Sequence, residues 1–377
     1  MPHAPTAALE RRHDAVRSAL ASRSLDALIV TSLSNIAYLT NFAGSSAVAV
    51  VTLDHLYFIT DFRYVTAVTD ERSGAAACPG LDLVVVDSTY DAALLGVLTR
   101  ETGRVGFEAA HLTVSRHGWL AASLGTAAAR ELVPTEGLIE RLRVVKDGYE
   151  LATMREAGRR ISGVARELLA DVSAGRTELE VALAIDARIR RAGFSRTAFE
   201  TIVASGPNAA LPHARPGERR LAEGDLVVLD FGGVYDSYCV DLTRTVSIGP
   251  ASPRARDLHA AVLEAQTRAI RAVAPAASRF AIDAAARDLL TVRGFGEAFG
   301  HGTGHGLGLE VHEDPRLTRR RAEVDASDEA LRPGMVFTIE PGVYLPGWGG
   351  IRIEDDVVVT EQGAELITDA GRELLEA

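Results

Sequence analysis

Cysteine is scarce: Cys78 and Cys239 are the only two in 377 residues. Two thiols cannot build a disulfide framework or a zinc–thiolate cage, so a reducing cytoplasm is the expected setting. Lysine is scarcer still, with Lys146 standing alone beside many arginines. No basic stripe appears and the formal charge is −11, which excludes nucleic acid held by clustered cations. No run approaches the roughly 18 apolar residues of a membrane span, and the opening MPHAPTAALERRHDAV lacks the apolar core of a secretion signal. Neither a membrane nor a nucleic acid is an expected partner. GxSxG, Walker and HExxH patterns are missing, and the glycines of 300–308 miss GxGxxG spacing. Serine-hydrolase, nucleotide-binding and helical zinc-protease readings therefore lack their minimum parts.

Apolar residues make up 47% of the chain, ample for more than one buried core. Apolar strand-like runs at 26–31, 47–53, 56–60, 81–86 and 104–107 alternate with helical spacing, which predicts a small α/β domain over 1–143. A new regime begins around Lys146, so the second domain is predicted over 144–377. There, Asp147 with Glu150 and Thr177 with Glu180 form capping boxes before amphipathic helices, and Pro253 opens a further long one. Helices mixed with carboxylate-bearing hairpins make the whole α+β. A weak repeat runs through the second domain: Gly224 precedes Asp230 by six residues as Gly334 precedes Glu340. A duplicated half-domain would account for it, and so would chance.

The tract 300–313, GHGTGHGLGLEVHE, sets three histidines in glycine-rich backbone, and four carboxylates lie nearby in pairs: Asp230 with Asp241, and Glu340 with Glu354. If LVVLDFGGVYDSYCVDLTRTV turns at Asp236 and Ser237, Asp230 faces Thr243, and Asp230 and Asp241 share one face of a hairpin. MVFTIE and IRIEDDVVV read as a second strand pair, separated by the turn-rich PGVYLPGWGG. Four bare carboxylates in one cleft would repel by roughly 4 kcal/mol per pair at about 4 Å. Two divalent cations cancel that charge, and His305 adds a neutral nitrogen, which makes five candidate ligands. An oxygen-rich shell with one imidazole suits manganese or cobalt and tolerates zinc or iron. Such ions lower the pKa of water and provide a hydrolytic nucleophile without serine or cysteine.

The ordered segments PHARPG, DFGGVYDSYCVDLTRT, HGTGHGLGLEVHE, TIEPGVY and IRIEDD resemble the pita-bread metallopeptidases, in their aminopeptidase P and prolidase branch. YLTNFAGSS and TDFRY are similar to that branch's N-terminal domain, which methionine aminopeptidases usually lack. The resemblance implies a pita-bread catalytic domain behind a smaller α/β domain, two metal ions, and hydrolysis of the Xaa-Pro bond. It implies that Asp230 ligates one metal, His305 and Glu340 the other, and that Asp241 and Glu354 bridge both. Glu340 matches the proposed general base. His213 and His312 match histidines that bind substrate and steady the tetrahedral intermediate, and His301, Tyr344 and Arg352 match positions lining the proline pocket. A cytoplasmic homodimer acting on proline-containing peptides completes the expectation.

Ser237 and Val240 replace a glycine and a serine of some members without removing a ligand. Several readings stay open. Aminopeptidase P type action comes first, with a dipeptide-restricted prolidase as the alternative. A non-catalytic binding module, or a metal-free amidinohydrolase like creatinase, would fit the fold had the ligands been lost. Arg352 could instead pair with Asp355 or Asp356, Tyr344 could be packing, and His213, His301 and His312 could be structural.

Overall fold

The computed structural model describes residues 3–70, 74–100, 103–125, 130–320 and 329–377. The chain divides into two compact units, Met1–Arg143 and Val144–Ala377.

The first unit is a six-stranded sheet flanked by helices. Its strands lie in the order Leu81–Val85, Leu56–Thr60, Val48–Thr52, Ala27–Val30, Gly103–Glu108 and Arg130–Thr135. Parallel and antiparallel pairings mix: Ala27–Val30 runs antiparallel to Val48–Thr52 and parallel to Gly103–Glu108. The five strand-like runs read from the sequence are all strands. Arg130–Thr135 is an addition that its pattern did not reveal, and its Pro134 is tolerated because the strand closes the sheet edge.

In the second unit, two helix-backed sheets carry the chemistry. Strands Leu226–Tyr235 and Tyr238–Ser247 form the first sheet with Leu375–Glu376, Arg196–Thr197 and Ile202–Ser205. Gly148–Arg166 and Glu178–Arg191 cover one face of it, packing Ile161, Val164, Val181 and Ile185 against Leu229, Phe231, Val240 and Leu242. Both helices start with the capping boxes the sequence announces. The second sheet runs Glu313–Leu317, Gly304–Gly306, Val336–Ile339, Asp355–Thr360 and Gly363–Leu366. Pro253–Ala272 and Arg279–Val292 cover it, packing Leu258, Val262, Ile282 and Leu290 against Phe337, Ile339, Val357 and Val359.

One expectation needs correction. PGVYLPGWGG is not a simple connection between two long strands. Gly342–Leu345 and Gly349–Arg352 form a separate two-stranded hairpin, while Asp355–Thr360 pairs with Val336–Ile339. Glu354 falls between the two pairings, so its direction is set by a change of sheet rather than by unbroken alternation. Gly224 and Gly334, the matched glycines of the weak repeat, do adopt the same left-handed backbone, with φ of 87° and 88°.

Gly304 is fixed by crowding rather than by φ. A Cβ there would collide with the carbonyl oxygen of Thr338 on the neighbouring strand. Gly304→Ala is therefore expected to cost about 1–3 kcal/mol of stability as an overpacked strand. A denaturation midpoint equal to the parent's would contradict it.

Candidate metal centre

Period-two alternation decides which side chains meet. In Leu226–Tyr235, residues 227, 229 and 231 join the helix-facing core, so Asp230 faces the other way. In Tyr238–Ser247, Val240 and Leu242 face the helices, which sends Asp241 and Thr243 to the side of Asp230. The register matches the reading of the turn: Asp230 stands opposite Thr243, and Tyr235 opposite Tyr238. Asp236 and Ser237 hold positive φ of 46° and 70°, the left-handed pair that a two-residue hairpin turn requires. In the second sheet Phe337 and Ile339 are core, leaving Thr338 on the far side, where its hydroxyl accepts from the His305 amide at 3.1 Å.

These elements converge. Single ligand atoms of Asp241, His305 and Glu354, all buried, lie within 4.8 Å of one another. The His305 Nδ1–H donates to the Gly306 carbonyl at 3.0 Å, which leaves the Nε2 lone pair 3.5 Å from a Glu340 oxygen. Thr243 Oγ1 donates to Glu354 at 2.5 Å, and the Asp241 amide donates to Asp356 at 3.0 Å. Asp230 stands outside the close trio, and Arg352 Nη2 donates to its Oδ2 at 2.5 Å.

The donor set fits a divalent cation. Asp230 Oδ1 and Asp241 Oδ1 are buried and accept no hydrogen bond from the described residues. Orphaned carboxylate oxygens of this kind are costly unless a cation answers them. Burial, then the charges of Glu354 and Asp230, push the Asp241 carboxyl well above its usual range. Burial, then Glu340, does the same for Glu354. Glu340 keeps 17% of its side chain open to the cavity, yet burial raises it to about 8 against the pull of Arg352. The same burial lowers His305 to about 3, so its imidazole is neutral and able to ligate at neutral pH.

A cavity of about 530 Å³ is lined by Asp230, Asp241, His305, Glu340 and Glu354 together with His213, His301, His312 and Arg352. Tyr344 stands behind that lining, its hydroxyl 2.9 Å from His301 Nε2 and accepting from Arg352 Nη1 at 2.9 Å. Arg352 thus pairs with Asp230. Asp355 is taken by Arg244 and Arg372, both at 2.7 Å, and Asp356 by the Asp241 amide.

Two features escaped the sequence. Arg316 lines the cavity, and among the described residues its guanidinium makes no hydrogen bond or ion pair. Nothing in its local pattern marks it. Lys146, the single lysine, is buried with its Nζ 3.1 Å from Glu313, and Glu313 also accepts from the Glu310 amide at 3.0 Å. That ion pair braces the bend that carries His312, whose ring centroid lies 4.3 Å from that of His305.

The sequence profile of metallopeptidase family M24 matches residues 152–361, more than half of the chain. The chain belongs to this family. A Creatinase/Prolidase N-terminal domain profile matches residues 12–145. The chain is 35% identical to the uncharacterized peptidase YqhT of Bacillus subtilis, over 96% of this chain and 98% of that one. It superposes on an Xaa-Pro dipeptidase from Bacillus anthracis with a TM-score of 0.91, at 34% identity and over 98% and 100% of the two chains. An X-Pro aminopeptidase from Thermotoga maritima matches with a TM-score of 0.85, at 31% identity over 96% and 100%. The M24 unit has the pita-bread fold, α+β in class, preceded by a smaller α/β domain of the creatinase N-terminal type. Membership makes the chain a metallopeptidase and its clustered acids a candidate site for divalent metal.

Proposed function

We propose that this M24 metallopeptidase hydrolyses the Xaa-Pro bond of dipeptides. The observation that carries the dipeptide restriction is Arg316, an exposed guanidinium on the cavity wall that has no hydrogen-bond or ion-pair partner among the described residues. The free carboxylate of an Xaa-Pro dipeptide would give that cation a partner, whereas a longer peptide offers an amide there. Similarity to Xaa-Pro dipeptidases supports this choice. Aminopeptidase P action on longer peptides is the second reading, favoured by the similarity to the Thermotoga enzyme.

Asp230, Asp241, His305, Glu340 and Glu354 would hold two divalent ions, manganese suiting the oxygen-rich shell best and cobalt or zinc being tolerated. Such ions supply Lewis acidity for the scissile carbonyl and lower the pKa of water towards neutrality. Glu340 takes the proton of the attacking water on a carboxylate oxygen and delivers it to the proline nitrogen as the C–N bond breaks. His312 and His213 donate towards the carbonyl oxygen as it gains charge, and both line the cavity. His301, Tyr344 and Arg352 form the hydrogen-bonded wall against which the proline is placed.

With manganese added, Gly-Pro and Ala-Pro are expected to be cleaved and Ala-Pro-Ala left intact, scored by product mass. Cleavage of the tripeptide at a comparable rate would favour the second reading. Intact protein holding less than one metal equivalent after reconstitution, with no cleavage of either, would leave only a binding module.

A cytoplasmic setting suits a chain whose two cysteines form no disulfide among the described residues. No helix of the described residues is long and apolar enough to cross a membrane. The assembly expected is a homodimer, and light scattering of the intact chain should read twice its mass of 40.1 kDa. A mass of one chain would refute it.

A further inference from the structure

Helix Arg279–Val292 buries an ion pair that none of these roles uses. Asp283 and Arg287 stand one turn apart and join by two parallel hydrogen bonds, Nε to Oδ2 at 2.7 Å and Nη2 to Oδ1 at 2.8 Å. Only 2% and 10% of their side chains are exposed. Mutual attraction alone seldom offsets the desolvation of two buried charges, so their remaining donors and acceptors must be satisfied elsewhere.

The bonds they make beyond the pair go to one short stretch. Arg287 Nη1 donates to the Phe299 carbonyl at 3.0 Å, and Nη2 to the His301 carbonyl at 2.7 Å. Asp283 Oδ1 accepts from the Thr303 amide at 3.0 Å and from its hydroxyl at 2.9 Å. The guanidinium carbon also lies 4.2 Å over the Phe299 ring. Residues 299–303 form no helix or strand, so their own backbone bonding does not fix them. Gripped at 299, 301 and 303, the stretch presents the His301 ring to the Tyr344 hydroxyl at 2.9 Å, and that hydroxyl accepts from Arg352. The Thr303 carbonyl meanwhile accepts from the Glu340 amide at 2.8 Å.

We propose that Asp283 and Arg287 are positioning residues that set the His301 imidazole against the proline-binding wall, acting through the backbone of 299–303. This rests on the reading of His301 as a substrate-facing group. Neither member touches the cavity, since the pair works from the helix side of the loop. A lysine at 287 would keep the charge yet lose the fork that spans one carboxylate and two carbonyls.

The test is a double-mutant cycle on the full-length, manganese-loaded protein, reading kcat/KM for Ala-Pro and metal content. Arg287→Lys is expected to lower kcat/KM by about 10–100-fold, the range for groups that orient a site from behind, with metal content unchanged. In a His301→Ala background the same change should cost less than about twofold, because its route is already gone. An equal loss in both backgrounds, or no loss in either, overturns the proposal. Should Arg287→Lys fail to fold, Thr303→Val and Thr303→Ser decide instead. Valine, which removes one bond from Asp283, is expected to cost about fivefold and serine nothing; equal activity of the two overturns the proposal. His301→Ala with parental kcat/KM would remove the reading on which the proposal rests, an outcome distinct from an additive Arg287→Lys.

Discussion

Glu354→Gln is expected to raise the melting temperature of the metal-stripped protein while abolishing most of its peptidase activity. The wild-type side chain is 2% exposed, and burial together with Glu340 and Asp230 opposes its ionisation. Each unit by which a site raises an acid's pKa corresponds to about 1.4 kcal/mol when the group is made to ionise. A neutral amide of the same shape removes that burden and still accepts from the Thr243 hydroxyl. A gain of about 1–2 kcal/mol is expected near neutral pH, where protonation already relieves part of the repulsion. Activity should fall by more than about 100-fold, beyond what groups supporting ligands from outside usually contribute. Thermal unfolding in a chelator, beside Ala-Pro hydrolysis with manganese, reads both. A variant less stable than its parent in the chelator, yet active, would sink the assignment of Glu354 as a ligand under electrostatic load.

The second large effect is in how added metal stabilises the protein at different pH. Burial moves Glu340 from its ordinary value of 4.5 to about 8 in the folded chain, and Asp241 and Glu354 are also raised. An acid raised in this way keeps its proton when folded and releases it when unfolded. Between about pH 4.5 and 8 the unfolded chain therefore binds fewer protons, and the stability of the metal-free protein falls as pH rises. Glu340 alone sets a ceiling of about 5 kcal/mol on that loss. Bound cations stabilise the ionised form and remove the loss, so the increase in melting temperature on adding manganese should be several-fold larger at pH 8 than at pH 5. Metal binding at the lower pH should also release more protons. Equal increases at the two values, or a metal-free protein more stable at pH 8, would contradict this origin of the raised pKa values.

Much of the centre was legible because it rests on local chemistry. The Asp236–Ser237 turn has an even count, so the register that places Asp230 and Asp241 on one face follows from alternation alone. The capping boxes at Asp147 and Thr177 mark helix starts by bonds made within four residues. The course of the chain through 341–353 was not legible. There the segment leaves one sheet, doubles back as a hairpin and rejoins, and only tertiary packing decides the point of exchange. Arg352 illustrates the same limit. Its near neighbours Asp355 and Asp356 looked like natural partners, yet the fold gives Asp355 to Arg244 and turns Arg352 towards Asp230, more than a hundred residues away. Asp283 and Arg287 show helical i,i+4 spacing in the sequence, but that spacing usually marks a solvated surface pair. The loop that they grip appears only once the helix is docked.

Lys146 gives its whole charge to Glu313 and keeps 1% of its side chain at the surface. As the chain has no second lysine, reagents that acylate side-chain amines would find none to modify on the folded protein. Fluorophores, biotin or resin that acylate amines would find no side chain to attach to, leaving only the α-amino group. An acylated Lys146 would instead report that the Glu313 bend had opened, which makes this one amine a built-in chemical probe of local unfolding beside the metal site.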